Sequence, residues 1–248
     1  MKELVHLLVE GPVATLVLDS QHNRNALSRQ LVGELLDGLA RAEADDDVRV
    51  VVVRAEGRTF CSGADLSEAS STGMEEGART LVGLQRRIAS LAIPVVVRAH
   101  GAVRAGGIGI VAAADVAVVA TDATFAFTEV RLALTPAAIS LSVLPRMSDR
   151  AAALAFLTGE VFTGEDAERH GLVTRAVPED RLDAEVAEVC AALAQGHPQG
   201  LRETKALLAR PLLADIDARG EDLSRLSARL FGSDEARAAM RAFLDRRR

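Results

Sequence analysis

Two glycine-punctuated stretches offer the clearest chemistry in this chain: Gly57-Arg58-Thr59-Phe60-Cys61-Ser62-Gly63-Ala64-Asp65-Leu66 and His100-Gly101-Ala102-Val103-Arg104-Ala105-Gly106-Gly107-Ile108-Gly109. Each follows a run that reads as a buried strand. Glycine lets a backbone approach a ligand closely, and a helix opening at Gly106 would aim free N–H groups outward. Two such groups converging on one oxygen form an oxyanion hole, worth about 2.7–4 kcal/mol per donor in measured cases. The same glycines also suit tight turns and close helix packing, and the loops alone leave both readings open.

A second pattern competes for the later stretch. Gly107-Ile108-Gly109-Ile110-Val111-Ala112 fits the dinucleotide-binding G-x-G-x-x-A, and Glu129 stands 20 residues beyond Gly109, where a ribose-binding acid would sit. In that fold the first glycine directly follows its strand. Here a loop carrying Arg98, His100 and Arg104 separates Val97 from Gly107, which argues against a nicotinamide site. Cys61 has no histidine neighbour in sequence to activate it as a nucleophile. His100 reads as a loop hydrogen-bonding residue and Asp115 as a carboxylate satisfying core backbone donors. No His, Cys or carboxylate spacing suggests a metal.

The elements that must carry these loops alternate. Leu4–Val9 and Val13–Leu18 are β-rich runs around the turn Glu10-Gly11-Pro12. Leu31, Val32, Leu35, Leu36 and Leu39 fall at helical spacing behind Ser28, an N-cap by type, and Asp45-Asp46-Asp47 breaks the pattern as a solvated turn. Val48–Val53 is a strand whose unbroken apolar run suits a sheet covered on both faces. Gly57–Leu66 reads as loop. Leu81, Leu84, Ile88 and Leu91 mark a second helix, and Pro94–Val97 a third buried strand. Ile110–Ala114 suits a tightly packed internal helix, with Val116–Val119 and Thr124–Phe127 as further strands. The alternation predicts an α/β core.

From Arg150 onward the pattern reads as helix after helix, with apolar spacing over Leu182–Leu193, Leu201–Leu208 and Asp217–Leu230. Ser233-Asp234-Glu235 opens a last helix with a capping hydroxyl and acids at the positive end of its dipole; Arg246-Arg247-Arg248 complement the negative end. The boundary between a 1–195 core and a 196–248 helical region falls near residue 195.

Composition narrows the function. The chain has 248 residues, 49% hydrophobic and 26% charged, which fits one large globular domain or a domain with an appendage. Its net charge is −6, with no Trp and no Tyr, so neither counterion release nor base stacking favours a nucleic-acid partner. Cys61 and Cys190 are too few for a disulfide scaffold or a Cys-rich metal site. No basic-then-apolar leader opens the sequence. The most apolar stretch, Ile108 to Ala120, contains Asp115 and is shorter than the ~20 residues of a membrane span. The expectation is a cytoplasmic protein in a reducing compartment, with no membrane partner.

In order and wording these stretches resemble the crotonase superfamily, the enoyl-CoA hydratase/isomerase group. Gly57 to Leu66 is similar to that family's first oxyanion segment, and Gly106-Gly107 with Asp115 to its second. Ala123-Thr124-Phe125 through Glu129-Val130-Arg131-Leu132 and Pro136 is similar to its catalytic-glutamate segment. Leu157-Thr158-Gly159, Ala167, Gly171-Leu172-Val173 through Val177-Pro178, and the ending Ala242-Phe243-Leu244 extend the likeness over nearly the whole chain.

The resemblance implies an α/β fold: a crotonase-type spiral of β-β-α units followed by a C-terminal helical trimerisation region, assembled as a homotrimer or dimer of trimers. It implies an acyl-CoA thioester substrate, with coenzyme A carried by the substrate and no separate cofactor. The thioester oxygen would be held by the N–H groups of Ala64 and Gly106. CoA contacts are implied from Arg24, Ala26, Leu27 and Ser62 and from Ala64, Asp65 and Leu66. Phe243 and Arg246 would reach a neighbouring subunit's ligand.

One position departs from the family pattern. Family hydratases use two glutamates; the second matches Glu129, but the first falls on Gly109, which has no side chain. A general acid–base group is worth roughly 10²–10⁴ in rate, so the loss bears on the chemistry. Either Glu129 manages water alone or with an unrecognised partner, or the reaction needs a single base, or the site binds without turnover. The overall likeness points first to an enoyl-CoA hydratase. One carboxylate moving a proton from C2 to C4 fits an enoyl-CoA isomerase, and a non-catalytic acyl-CoA-binding paralogue is the third reading. Glu129 would work best with its pKa raised by apolar surroundings such as Phe125, Phe127 and Val130. Glu68 is a candidate for the missing acid. Arg104 and Arg131 are candidates to pair with an acidic acyl group, because a guanidinium fork suits a carboxylate.

Overall fold

The computed structural model describes residues 2–65, 68 and 71–245, with side chains at all of these except 71–74 and 243–245. A hairpin begins it. β1 (Val5–Glu10) and β2 (Val13–Leu18) pair antiparallel, Val5 opposite Leu18 and Glu10 opposite Val13. Helix α1 (Arg29–Glu43) follows, capped as its sequence predicts: Ser28 Oγ accepts the Leu31 N–H at 3.2 Å. Leu31, Val32, Leu35 and Leu39 form its buried stripe.

One unit then repeats, each time a strand of a large sheet, a short strand of a second sheet and a helix. It runs β3 (Val50–Ala55), β4 (Thr59–Cys61) and α2 (Ser71–Ser90). It returns as β5 (Val95–Ala99), β6 (Ala102–Arg104) and α3 (Gly106–Ala113), and again as β7 (Val116–Ala120), β8 (Thr124–Ala126) and α4 (Ala137–Val143). This is the spiral of β-β-α units that the resemblance implies. The remaining elements are α5 (Asp149–Thr158), β9 (Phe162–Thr163), α6 (Gly164–Arg169), β10 (Arg175–Val177), α7 (Leu182–Ala194), α8 (Pro198–Phe231) and α9 (Asp234–Asp245).

The large sheet is ordered β1-β2-β3-β5-β7-β10, parallel from β2 outward. Both its faces are covered, which is why the four successive residues Val50, Val51, Val52 and Val53 are all buried. The second sheet is ordered β4-β6-β8-β9. Its strands β4 and β6 lie inside the two glycine stretches, which read as loops; three residues are too few to show alternation. Likewise β9 and β10 interrupt the helix-after-helix reading beyond Arg150.

Leu201–Leu208 and Asp217–Leu230 belong to one helix, α8, of 34 residues that runs on through Pro211. It packs along α2 and α4, joining Leu212 and Ile216 to Val82, Ala89, Ala138 and Leu141. Near its start the buried Lys205 places Nζ 2.7 Å from Asp115 Oδ2 and donates to the Ile88 and Ile93 carbonyls at 3.0 Å. Asp115 also accepts the Val95 N–H at 2.7 Å, the core role its sequence position predicts. Ser233 Oγ caps α9 by accepting the Ala236 N–H at 3.1 Å. Among the described residues no helix is long and apolar enough to cross a membrane.

Candidate active site

The turn Arg24 to Leu27 is bound to the first glycine stretch. Asn25 pins it from beneath: the buried Oδ1 accepts the Ser20 N–H at 2.7 Å, and Nδ2 donates to the Glu56 and Thr59 carbonyls at 3.0 and 2.8 Å. The Leu27 N–H donates to the Gly63 carbonyl at 2.8 Å, and the Ser62 N–H and Oγ donate to the Arg24 and Asn23 carbonyls at 3.1 Å. Gly63 sits at φ +96°, and a Cβ there would stand 2.9 Å from the Ala105 Cβ. The first stretch therefore runs against the residue that precedes α3. Ala105 itself is held at φ +46°, ψ −118°, a region non-glycine residues seldom visit.

These two constrained residues each precede an amide of interest. The Ala64 N–H donates to no acceptor among the described residues. Gly106 opens α3, where the first-turn N–H groups have no intrahelical acceptor. Ala64 and Gly106 both line a single cavity of about 470 Å³.

Glu129 lines the same cavity, from the 3-10 turn Thr128–Leu132 that leaves β8. Its Oε2 is buried with no hydrogen-bond partner among the described residues. Burial raises its pKa to about 7, against the pull of its own backbone N–H. A carboxyl so placed exchanges protons near neutrality, as a general base must. Apolar lining comes from Leu27, Leu81, Leu132, Leu134, Pro136 and Ile139. Phe125 and Phe127 lie in the core as expected, but Val130 is 38% exposed. Ser227 and Phe231 of α8 and Met240 of α9 also line it, and α9 packs on the Thr128–Leu132 turn of its own chain. Leu81 and these C-terminal residues carry no signal in the sequence beyond helical spacing.

Gly109 does not line the cavity. It is buried in α3, and a Cβ there would meet Ile139 Cγ2 at 2.8 Å and Gln85 Cδ at 3.3 Å. Gln85 is fully buried and satisfied: Nε2 donates to the Leu81 and Ala138 carbonyls at 3.2 and 3.1 Å, and Oε1 accepts from Ser142 Oγ at 2.6 Å. Packing has filled the space beside Gly109.

The other candidates fall as follows. Arg24, Leu27, Ser62, Asp65, Glu68 and Arg104 line the cavity, whereas Ala26 is buried and does not. Glu68 is exposed and accepts the Arg29 N–H at 3.0 Å, and Asp65 accepts from Asn23 Nδ2 at 2.9 Å. Arg131 is exposed, donates to the Thr158 carbonyl at 3.2 Å and lies outside the cavity wall. Leu66 and Arg246 lie outside the described residues, and Phe243 falls in α9 with its side chain outside that description. Burial pushes the Cys61 thiol up to about 12, so it is no ready nucleophile. His100 Nε2 lies 2.7 Å from the Gly57 carbonyl oxygen, a loop hydrogen bond.

Residues 9–248 match the family described as enoyl-CoA hydratase/isomerase. The chain belongs to that family. The crystal structure of an enoyl-CoA hydratase from Mycobacterium avium is similar at a TM-score of 0.94 and 45% identity, covering 99% of this chain and 98% of that one. A Bacillus subtilis (strain 168) protein named "Probable enoyl-CoA hydratase" is 32% identical over 255 residues, spanning 98% of this chain and 96% of its own length. The peroxisomal Delta(3,5)-Delta(2,4)-dienoyl-CoA isomerase of Arabidopsis thaliana is 27% identical over 264 residues, covering 99% of this chain and 95% of its own. Hydratase and isomerase names thus both occur among relatives of this hydratase/isomerase chain.

Proposed function

We propose that this family member adds water across the 2,3 double bond of an enoyl-CoA thioester, with Glu129 as its acid–base group and the Ala64 and Gly106 N–H groups holding the thioester oxygen. The observation that carries the reading is one carboxyl with an oxygen that has no hydrogen-bond partner among the described residues and a pKa of about 7, in the cavity those two residues also line. Ionised Glu129 takes a proton from water as the water oxygen bonds to C3. The double-bond electrons move onto the thioester oxygen, where the two amides stabilise the enolate. The enolate collapses and C2 takes the proton back from Glu129, which ends as it began.

Coenzyme A enters as part of the substrate, and the reading uses no other cofactor. Arg24 is exposed, lines the cavity and has no ion-pair partner among the described residues, which suits a phosphate of the CoA moiety. Contacts through Ala26, Leu66, Phe243 and Arg246 rest on the resemblance alone. Assembly as a homotrimer or dimer of trimers belongs to the same reading. Leu154, Leu157 and Val161, at 50%, 75% and 58% exposed, support a surface that meets another copy.

One observation favours a second reading. The filled space beside Gly109 leaves no room for a second glutamate, and one carboxylate suffices to carry a proton from C2 to C4 of a 3-enoyl-CoA. The conjugated-thioester absorbance separates the two. Loss of signal from a short 2-enoyl-CoA marks hydration, and gain of signal from a 3-enoyl-CoA marks isomerisation. Neither change, with CoA-ester binding intact, would refute catalysis and leave a binding protein.

A further inference from the structure

Arg104 ends β6, two residues before Gly106. Along that strand Val103 is fully buried in the core, while its neighbours Ala102 and Arg104, on the other face, both line the cavity. A guanidinium withdrawn from water ordinarily sits against a carboxylate. Arg98, largely shielded from water, follows that rule by donating from Nε to Asp183 at 2.8 Å, and exposed arginines of this chain show the edge of the fork that meets a carboxylate. Arg79 grips Glu221 through Nε at 3.0 Å and Nη2 at 2.7 Å, and Arg86 grips Asp217 through the same two nitrogens at 2.7 and 3.3 Å. Arg219 holds Asp215 in the same way.

Arg104, which lines the cavity, has no such carboxylate among the described residues. Its acceptors are all neutral: Nη1 donates to the Val103 carbonyl at 2.9 Å and to the Thr124 carbonyl, and Nη2 donates to Thr124 Oγ1 at 3.1 Å. No carboxylate among the described residues forms an ion pair with it, and burial alone lowers its pKa. A guanidinium has five N–H donors. Three are used, two of them on Thr124 of the adjoining strand, which fixes the plane of the group. Those left are the Nε–H and one Nη2–H. They lie on the edge that Arg79, Arg86 and Arg219 turn toward a carboxylate.

The cavity's other charged side chains do not fill this role. Glu68 and Glu76 are exposed; Glu68 is engaged by the Arg29 backbone and Glu76 lies 3.5 Å from the Arg29 guanidinium. Asp65 is held by Asn23. Burial and its own backbone N–H, with no cation, set the state of Glu129.

We propose that the open edge of Arg104 receives a carboxylate on the acyl group, so that the preferred substrates are CoA thioesters of dicarboxylic acids. This rests on the acyl-thioester reading of the cavity and adds the class of acyl chain. Thr124 pre-sets the fork, so the incoming carboxylate meets two parallel donors with little ordering left to do.

Binding of saturated, unreactive thioesters tests this without turnover. Succinyl-, glutaryl- and adipyl-CoA are compared by calorimetry with butyryl-, pentanoyl- and hexanoyl-CoA, pairs of equal length that differ in carboxylate against methyl. The expected result is a preference of about tenfold or more for the carboxylate at one of these lengths. Arg104→Gln should abolish the preference while keeping the affinity for the methyl-ended partner. Should that variant fail to fold, the wild-type ratio still decides, and Arg104→Lys, which keeps the charge and loses the fork, should lower it. No wild-type preference at any length overturns the assignment and leaves the acyl-thioester reading intact, as does a preference that survives Arg104→Gln. Binding of none of the six thioesters overturns both.

Discussion

Replacing Glu129 with Gln tests the buried carboxyl through stability as well as rate. Burial holds its pKa at about 7 against an ordinary 4.5. Between those values the folded chain keeps a proton that the unfolded chain has released. Unfolding there releases a proton, so stability falls as pH rises through the window, and the group's contribution is fully lost above about pH 7. The displacement corresponds to about 3 kcal/mol. Gln titrates nowhere in this range. Urea unfolding of both proteins, from roughly pH 4.5 to roughly pH 8, should show the wild type losing about 3 kcal/mol relative to Glu129→Gln. Turnover should fall about 10²-fold or more in the variant. The wild-type rate should climb to half its plateau near about pH 7, because abstraction needs the ionised form. A stability gap constant to within about 0.5 kcal/mol across that range, or undiminished turnover in the variant, would refute the reasoning.

Two further substitutions probe what surrounds the site. Gly109→Glu alone should gain no hydration and should lower stability by about 1–3 kcal/mol in urea unfolding, because its Cβ would stand 2.8 Å from Ile139 Cγ2. A faster hydration rate in that single variant would show that the space is not sealed. Lys205→Met should cost about 3–5 kcal/mol, since it leaves Asp115 half-paired beneath α8. A loss below about 1 kcal/mol would put this pair among ordinary surface ion pairs.

Legibility in the sequence followed length and regularity. The hairpin, α1 with its Ser28 cap and the valine-rich parallel strands each carry a period or a run that burial enforces, and β2 coincides with the β-rich run Val13–Leu18. The three-residue strands β4 and β6 carry no period and lie inside what reads as loops, whereas β8 of the same sheet falls within the predicted strand Thr124–Phe127. Glu129 stood out only through its segment, because a lone glutamate at a strand end has no pattern of its own. The contribution of α8 and α9 to the cavity depends on how the chain returns over itself, which helical spacing does not encode. Gln85 shows the same limit: an amide inside an amphipathic helix reads as a surface residue until Ser142 and two carbonyls are brought to it.

The two kinds of group in this cavity place different demands on sequence. A main-chain N–H can come from any residue but proline, so Ala64 and Gly106 are chemically plain, and the constraint passes to the residues before them. Gly63 at φ +96° and Ala105 at φ +46° hold the conformations that set those amides. Charge stabilisation of the kind proposed for these amides depends on backbone conformation and not on one particular side chain. Reaction and substrate then depend on the few side chains that reach the cavity with something to give or take. Glu129 offers a proton site, Arg104 an unused fork, and the position of Gly109 nothing, because Ile139 and Gln85 already occupy the room a second carboxylate would need. In this chain the choice between hydration and isomerisation therefore rests on what Glu129 alone can do in that cavity.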